Sequence, residues 1–294
     1  MRGRIGFNFY DVFVVVFCCL FALICFYPMW YVLVASVTPY DVFIRNKIML
    51  IPTSFDFQYY KAIFNMPIFL NSIFISISKT ILGTGLCLMV TSTMAYACSK
   101  THIHGMKFVN ALVVFNLFFT GGLIPEYMLY KDLSMLHTYW VMVIPGALNI
   151  TYYIIMRNYF SYSVSPELEE AARMDGCTDI GVFFRIILPL SKPMLAAVGL
   201  FVAVIHWNDY YNYMMFVVNQ PQLQPFAWIL RRTLVDPSMM STIRRGAQEI
   251  GMPNVPPIGL QMTTVIVAMI PLMCVYPFLQ KHFAQGMMLG AVKE

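Results

Sequence analysis

Ser165 to Pro193 reads SPELEEAARMDGCTDIGVFFRIILPLSKP, a polar and charged passage between strongly apolar ones. Ser165 is suited to cap a helix, and Pro166 to occupy its first position. Glu167, Glu169 and Glu170 then fall near the positive end of the helix dipole. Leu168, Ala171 and Ala172 share a face at i, i+3 and i+4. Gly176 ends the helix where a left-handed residue is wanted. Thr178 or Asp179 can cap a second short helix, and Pro189 and Pro193 stop it. The passage predicts a short helix–turn–helix with a small-residue patch at Ala171 and Ala172, where another protein's surface can approach the backbone. A solvated amphipathic loop lying on a membrane is the alternative reading.

The residues around this passage set its context. Of 294 residues, 59% are hydrophobic and 11% charged, whereas soluble domains run at about 45–50% and about 25%. A soluble chain of this length could not hide so much apolar surface and keep a wetted shell. A disordered chain, a nucleic-acid binder and an ordinary soluble enzyme are therefore excluded, and an integral membrane protein is expected. The net charge of +5 comes from 19 Lys+Arg against 14 Asp+Glu and forms no basic stripe. Seven cysteines, Cys18, Cys19, Cys25, Cys87, Cys98, Cys177 and Cys274, lie mostly in apolar runs without metal spacing. They read as small buried hydrophobes, free of disulfides. The first apolar run is too long for a cleavable signal and shows no small-residue cleavage site.

A bilayer crossing needs about 20 apolar residues. That ruler gives six candidates: Val12–Val37, Phe69–Ala97, Phe108–Ile124, Tyr139–Met156, Met194–Val218 and Met262–Phe278. Lysine and arginine in short flanks set orientation. Arg2 and Arg4, Lys100 and Lys107, the passage with Arg157, Arg173, Arg185 and Lys192, and finally Lys281 and Lys293 all fall on one side. Both termini are then cytoplasmic. The organisation expected is residues 1–68 as a first helix and external loop, 69–284 as a five-helix core, and 285–294 as a cytoplasmic tail. Within the core, 165–193 is the cytoplasmic loop and 219–260 an external one. The prolines at 221, 225, 237, 253, 256 and 257 argue for an extended, turn-rich external loop. Tyr59, Tyr60 and Phe64 suit an interfacial aromatic belt.

Glu170-Ala171-Ala172, three residues, Gly176, nine residues, then Ile186-x-Leu188-Pro189 resembles the EAA motif of bacterial ABC importer permeases, with the spacing matched throughout. Asp175-Gly176 and Pro193 resemble the form found in carbohydrate-uptake members. FTGGLIP at 119–125, MRNYF at 156–160 and GMMLGAV at 286–292 are similar to an oligosaccharide and aldouronate subgroup, related to the second permease of the maltose transporter. Cys177 stands where that family often has Ala. The resemblance covers nearly the whole chain. It implies an all-α, six-helix type I importer half in the bacterial plasma membrane, paired with a second homologous permease. Two ATPase subunits would dock below, and an extracytoplasmic solute-binding protein or lipoprotein would deliver a sugar. ATP and Mg would belong to the ATPase partner: this chain has no G-x-x-x-x-G-K-[ST] loop and is expected to be no enzyme. The loop would be the coupling helix, with Glu170 in a polar contact, Ala171 and Ala172 packed in the ATPase cleft, and Asp175-Gly176 making the turn.

Ionisable groups at membrane depth are costly and usually face a cavity or a partner. His206, Trp207, Asn208, Asp209, Tyr211 and Asn212 form a dense polar-aromatic cluster in the fifth candidate. Stacking aromatics with amides and a carboxylate suits a sugar's apolar face and hydroxyl edge, so the cluster is a candidate for the translocation pathway. An interfacial belt with interhelical hydrogen bonds is the competing reading. Lys79 interrupts the second candidate, with helix packing, snorkelling, pairing to a carboxylate or facing the partner permease open. Gly83 and Gly85 permit close approach, and Asn71, Ser72, Ser76 and Ser78 offer interhelical hydrogen bonds. His102 and His104 read as solvated. Arg231, Arg232, Arg244 and Arg245 break the positive-inside pattern. They suit docking of an acidic binding protein, a uronic-acid carboxylate or lipid headgroups. An ABC permease for an amino acid, peptide or polyamine, a secondary transporter and a membrane enzyme remain the other classes.

Overall fold

The computed structural model describes residues 9–45, 51–52, 54–100, 103–249, 251 and 256–290, with side chains as far as Pro277. Arg2, Arg4, His102, Pro253, Lys293, the end of the tail at 291–292 and the side chain of Lys281 lie outside this description. Among the described residues every regular element is helical: α1 (Phe9–Val37), α2 (Tyr40–Arg45), α3 (Gln58–Asn65), α4 (Pro67–Ser99), α5 (Met106–Phe118), α6 (Leu123–Asp132), α7 (Ile150–Tyr162), α8 (Pro166–Met174), α9 (Asp179–Val182), α10 (Leu188–Leu190), α11 (Lys192–Asn208), α12 (Tyr211–Phe216), α13 (Phe226–Val235), α14 (Pro237–Glu249) and α15 (Pro257–Gly290).

Among the described residues, four helical stretches are long and apolar enough to cross a membrane: Tyr10–Val37, Pro67–Ser99, Tyr139–Tyr162 and Pro257–Pro277. The other two candidates are corrected in shape. The third ends at Phe118, where Phe119 turns extended, and α6 restarts after Gly122, which takes φ +83°. The fifth is broken within its length, where α11 stops as Asp209 turns extended and α12 restarts after it. Just ahead of the candidate, Asp179–Leu190 meets Lys192–Asn208 at 81°. The fourth begins as two 3-10 turns, Tyr139–Met142 and Ile144–Ala147, before α7. Asn149 caps α7 by accepting the Tyr152 N–H at 3.2 Å.

The chain divides into two compact units, Met1–Leu70 with Leu230–Ile270, and Asn71–Ile229 with Pro271–Glu294. In the first unit, Tyr59, Ala62 and Ile63 on α3 are buried, and Ser36 bonds the Tyr60 hydroxyl at 2.8 Å. The Tyr59 ring lies against Gly259, where no Cβ would fit. The expected aromatic belt is thus mostly core, and Phe64 alone of its three residues is exposed. The segment 219–260 is also corrected: it is largely helical, not extended. Pro237 and Pro257 begin α14 and α15, where a missing N–H costs nothing, instead of breaking a helix. The cysteines divide: Cys87 and Cys98 are buried, but Cys18, Cys19, Cys25 and Cys274 are exposed on apolar helices. Hydropathy does not separate a lipid-facing position from a core one, since lipid tails are as apolar as a core.

In the second unit the core gathers around α4. Cys87, Ala95 and Cys98 of α4 pack with Tyr153, Met156 and Phe160 of α7, Ala172 of α8, Val182, Phe183 and Ile187, and Val198 and Val202 of α11. Ser76 accepts the Phe226 N–H at 2.7 Å, Asn71 donates to the Gln222 carbonyl at 2.7 Å, and Tyr139 donates to Ser78 at 3.0 Å. Asn71, Ser76 and Ser78 of α4 thus supply ties of the kind their positions predict.

Candidate functional site

The helix–turn–helix forms as expected, with its details redistributed. Ser165 stands at the cap position, but its hydroxyl lies 3.4 Å from the Glu167 carboxylate and makes no cap bond. Gly176 takes φ +82°. Beside it the Cys177 N–H donates to the Ala172 carbonyl and the Gly176 N–H to the Arg173 carbonyl, each at 3.0 Å. These two bonds close a Schellman turn, whose left-handed residue is best a glycine. Thr178, not Asp179, caps α9 by accepting the Gly181 N–H at 3.2 Å. Arg173 joins Asp179 at 3.0 Å across the turn.

The two faces of α8 do different things. Glu170, Ala171, Asp175 and Gly176 are exposed. Ala172 points inward and packs in the core of its own unit, so the pair expected to share one cleft is split. Three large apolar side chains, Leu168, Met174 and Ile180, are exposed around the tip, Met174 at 88%. Such an exposed apolar cluster beside the exposed small-residue position suits a docking surface; the sequence pattern named Leu168 on this face but neither Met174 nor Ile180. Glu170 also borders a cleft of about 590 Å³ lined by Lys100, Arg157, Glu169 and Arg173. Glu169, three residues before Ala172 on the same face, is 4% exposed and pairs with Lys100 at the end of α4.

The polar-aromatic cluster surrounds the break between α11 and α12. Lys79 of α4 is wholly buried. Its ammonium donates to the Asp209 carbonyl at 2.7 Å and to the Asp209 carboxylate at 3.1 Å. The carboxylate in turn accepts the Asn212 backbone N–H at 3.1 Å and the Asn212 side-chain amide at 3.0 Å. Asp209 thus satisfies the donors that the break frees and neutralises the one cation placed opposite them. Lys79 takes the carboxylate-pairing option. His206 is wedged against Gly83, where a Cβ would come within 2.6 Å of the ring, and against Gly146 at 3.0 Å. Gly85 has open space around it, and only Gly83 of the two makes a close approach. Trp207 is buried, while Asn208 and Tyr211 are exposed. A cavity of about 100 Å³ lies beside His206, Asp209 and Asn212.

The arginines fall on α13 and α14. Arg232 grips Asp236 at 2.9 Å, whereas Arg231, Arg244 and Arg245 are exposed. Arg244 borders a cleft of about 400 Å³ with Asp236, Met240 and Gln261. Asp236 also accepts the Ser238 hydroxyl at 2.6 Å and the Ser238 N–H at 2.9 Å, at the start of α14. Those Ser238 bonds and the Arg232 guanidinium pull its carboxyl down to about 2. A depressed carboxyl contributes stability that is complete above the unfolded value of about 3.9 and is lost as pH falls through the folded one. Amide-exchange protection of Pro237–Glu249 should therefore hold from neutrality to about pH 4 and fall towards pH 2. In Asp236→Asn it should be reduced already at neutrality. Protection in the parent that is flat down to pH 2 would remove Asp236 as the cap.

Residues 106–289, well over half of the chain, match the family described as binding-protein-dependent transport system inner membrane component. The chain is 37% identical over 294 residues to the polygalacturonan/rhamnogalacturonan transport system permease protein YtcP of Bacillus subtilis (strain 168), covering 100% of both. It is 38% identical over 266 residues to protein LplC of the same organism, covering 90% of this chain and 88% of that one. Among solved structures it is similar to a bacterial ABC transporter involved in the import of the acidic polysaccharide alginate. The TM-score there is 0.85 at 29% identity, covering 95% of this chain and 100% of the other.

Proposed function

We infer that this chain, which belongs to the family of binding-protein-dependent transport system inner membrane components, is the membrane-spanning permease subunit of an ATP-driven oligosaccharide importer. The observation that carries this is the α8–α9 tip. It presents Glu170 and Ala171 beside exposed Leu168, Met174 and Ile180, on a turn that Gly176 fixes. A membrane subunit with no phosphate loop of its own needs such a surface to receive work from an ATPase. Carbohydrate as the cargo is supported by the polygalacturonan/rhamnogalacturonan relative and the alginate importer.

In this reading the chain pairs with a second permease, stands on two ATPase subunits that hold ATP and Mg, and receives sugar from an extracytoplasmic binding protein. It sits in the bacterial plasma membrane with both termini inside. Met106–Phe118 and the broken Lys192–Phe216 stretch complete six crossings. ATP-driven closure of the ATPase pair would move α8 and rock the helices between inward and outward access. Asn208 and Tyr211 are exposed at the break and are candidates to line the path. A substrate bearing carboxylates is favoured by exposed Arg244 and Arg245, whose guanidinium forks match carboxylate geometry.

Capture of this chain from gently solubilised native membranes should bring an ATPase, a second multi-span permease and a solute-binding protein. The captured complex, in vesicles with internal ATP, should accumulate oligogalacturonides in preference to neutral oligosaccharides of equal length. Recovery of the chain alone, under conditions that keep a control importer intact, would defeat the importer reading. Equal uptake of neutral and acidic oligomers would defeat only the carboxylate preference.

A further inference from the structure

α4 is gripped by an ion pair at two places. Lys79 holds Asp209 at the break between α11 and α12, and Lys100, one residue past the end of α4, holds Glu169 of α8. The two lysines are about 30 Å apart at a helix's 1.5 Å rise per residue. Among the described residues, Lys79 is the only buried lysine or arginine and Glu169 the only buried acidic residue. Each is engaged in one of these two ion pairs.

The end of α4 is held firmly. The Lys100 ammonium lies 4.6 Å from the centre of the Tyr96 ring, which itself packs on Phe160 and Phe183. Arg157 of α7 donates to the Cys98 carbonyl at 3.2 Å. Exposed ion pairs contribute little, and burying one is costly enough that apolar residues would serve packing alone as well. A buried, directional pair is suited instead to holding one helix in register with another.

We propose that Lys100 and Glu169 form a latch fastening α8 to the end of α4, so that a displacement of α8 travels along α4 to the Lys79–Asp209 join and moves the break in the fifth crossing. Glu169 is then a positioning residue for transport. Exposed Glu170 faces the ATPase, and enclosed Glu169 passes its movement inward. The proposal rests on the importer reading.

The test uses the assembled complex in vesicles, with ATP hydrolysis and oligosaccharide uptake measured on the same preparation. Glu169→Gln and Lys100→Met should still assemble and hydrolyse ATP. Sugar moved per ATP should fall at least about fivefold, the lower end of typical coupling between sites. The exchanged pair Lys100→Glu with Glu169→Lys should recover most of that ratio. An unchanged ratio in both single variants would overturn the latch. Where a single variant fails to assemble, Lys100→Met with Glu169→Leu removes both charges and leaves none stranded. That double variant assembled but poorly coupled supports the latch. Assembled and normally coupled, or unable to assemble, it overturns the latch, the pair then being dispensable or purely structural. A parent complex that hydrolyses ATP without moving sugar indicts the importer reading instead.

Discussion

Asp209→Asn is expected to destabilise the second unit by about 3–5 kcal/mol, the range for removing one partner of a buried ion pair. Asparagine is nearly isosteric with aspartate, and its side-chain oxygen can still accept the Asn212 N–H that Asp209 now takes at 3.1 Å. That bond at the start of α12 survives, so the loss isolates the charge. What remains is the Lys79 ammonium, wholly buried and facing a carbonyl at 2.7 Å in place of a carboxylate. The double variant Asp209→Asn with Lys79→Met removes both charges, and most of the loss should return. Unfolding of the purified chain in detergent, followed by tryptophan fluorescence with Trp30 replaced by Phe so that the three remaining tryptophans all report from the second unit, measures it. A single variant within about 1 kcal/mol of the parent, the size of an exposed pair, would mean that water reaches the join and screens it. Uptake should fall in the single variant and recover less than stability does in the double one, because the join also sets the geometry of the break.

The parts of this molecule set by local physics were legible in the chain. α1, α4 and α15 are apolar runs longer than a bilayer needs; α1 and α4 fall within a few residues of the bounds read by length, and α15 contains its candidate but extends well beyond it at the C-terminal end. Gly176 was legible because a left-handed turn depends on the residue that makes it. Other features depend on partners distant in sequence. Lys79 and Asp209 are 130 positions apart, so periodicity did not choose between snorkelling and pairing, and the break at Asp209 passed for continuous helix. Tyr59 was read as interfacial because aromatic residues suit both belt and core, and only the glycine at 259 decides for the core. The prolines between 221 and 257 were read as breakers, although three of the segments they introduce are helices. In the candidate site, the spacing identified the tip but not its inner face. Glu169 and Ala172 are separated by one helical step and point at α4, which places one acid inside and leaves its neighbour Glu170 outside.

Gly176→Val is the second change with a large expected effect, and its chemistry is wholly in the backbone. No atom lies within 4 Å of where a Cβ would stand, so the substitution meets open space, not a clash. The cost is φ +82°, which a β-branched residue strongly disfavours. About 1–3 kcal/mol of strain is expected. Relief by flipping to negative φ would break the bonds from Gly176 to Arg173 and from Cys177 to Ala172. That flip tilts α8 relative to α9 and moves Met174 and Ile180 away from the surface they share with Glu170. Coupled uptake by the reconstituted complex should fall by at least about tenfold, the rate equivalent of about 1.4 kcal/mol, with the isolated chain still folded. Gly176→Asn separates strain from surface effects, since asparagine tolerates the left-handed region and adds a side chain of comparable size. It should keep most of the uptake. If Asn fails as badly as Val, the side chain itself obstructs the docked partner, and Gly176 lies inside the contact. If neither fails, the tip does not carry the stroke, and the ATPase must act on another part of the chain.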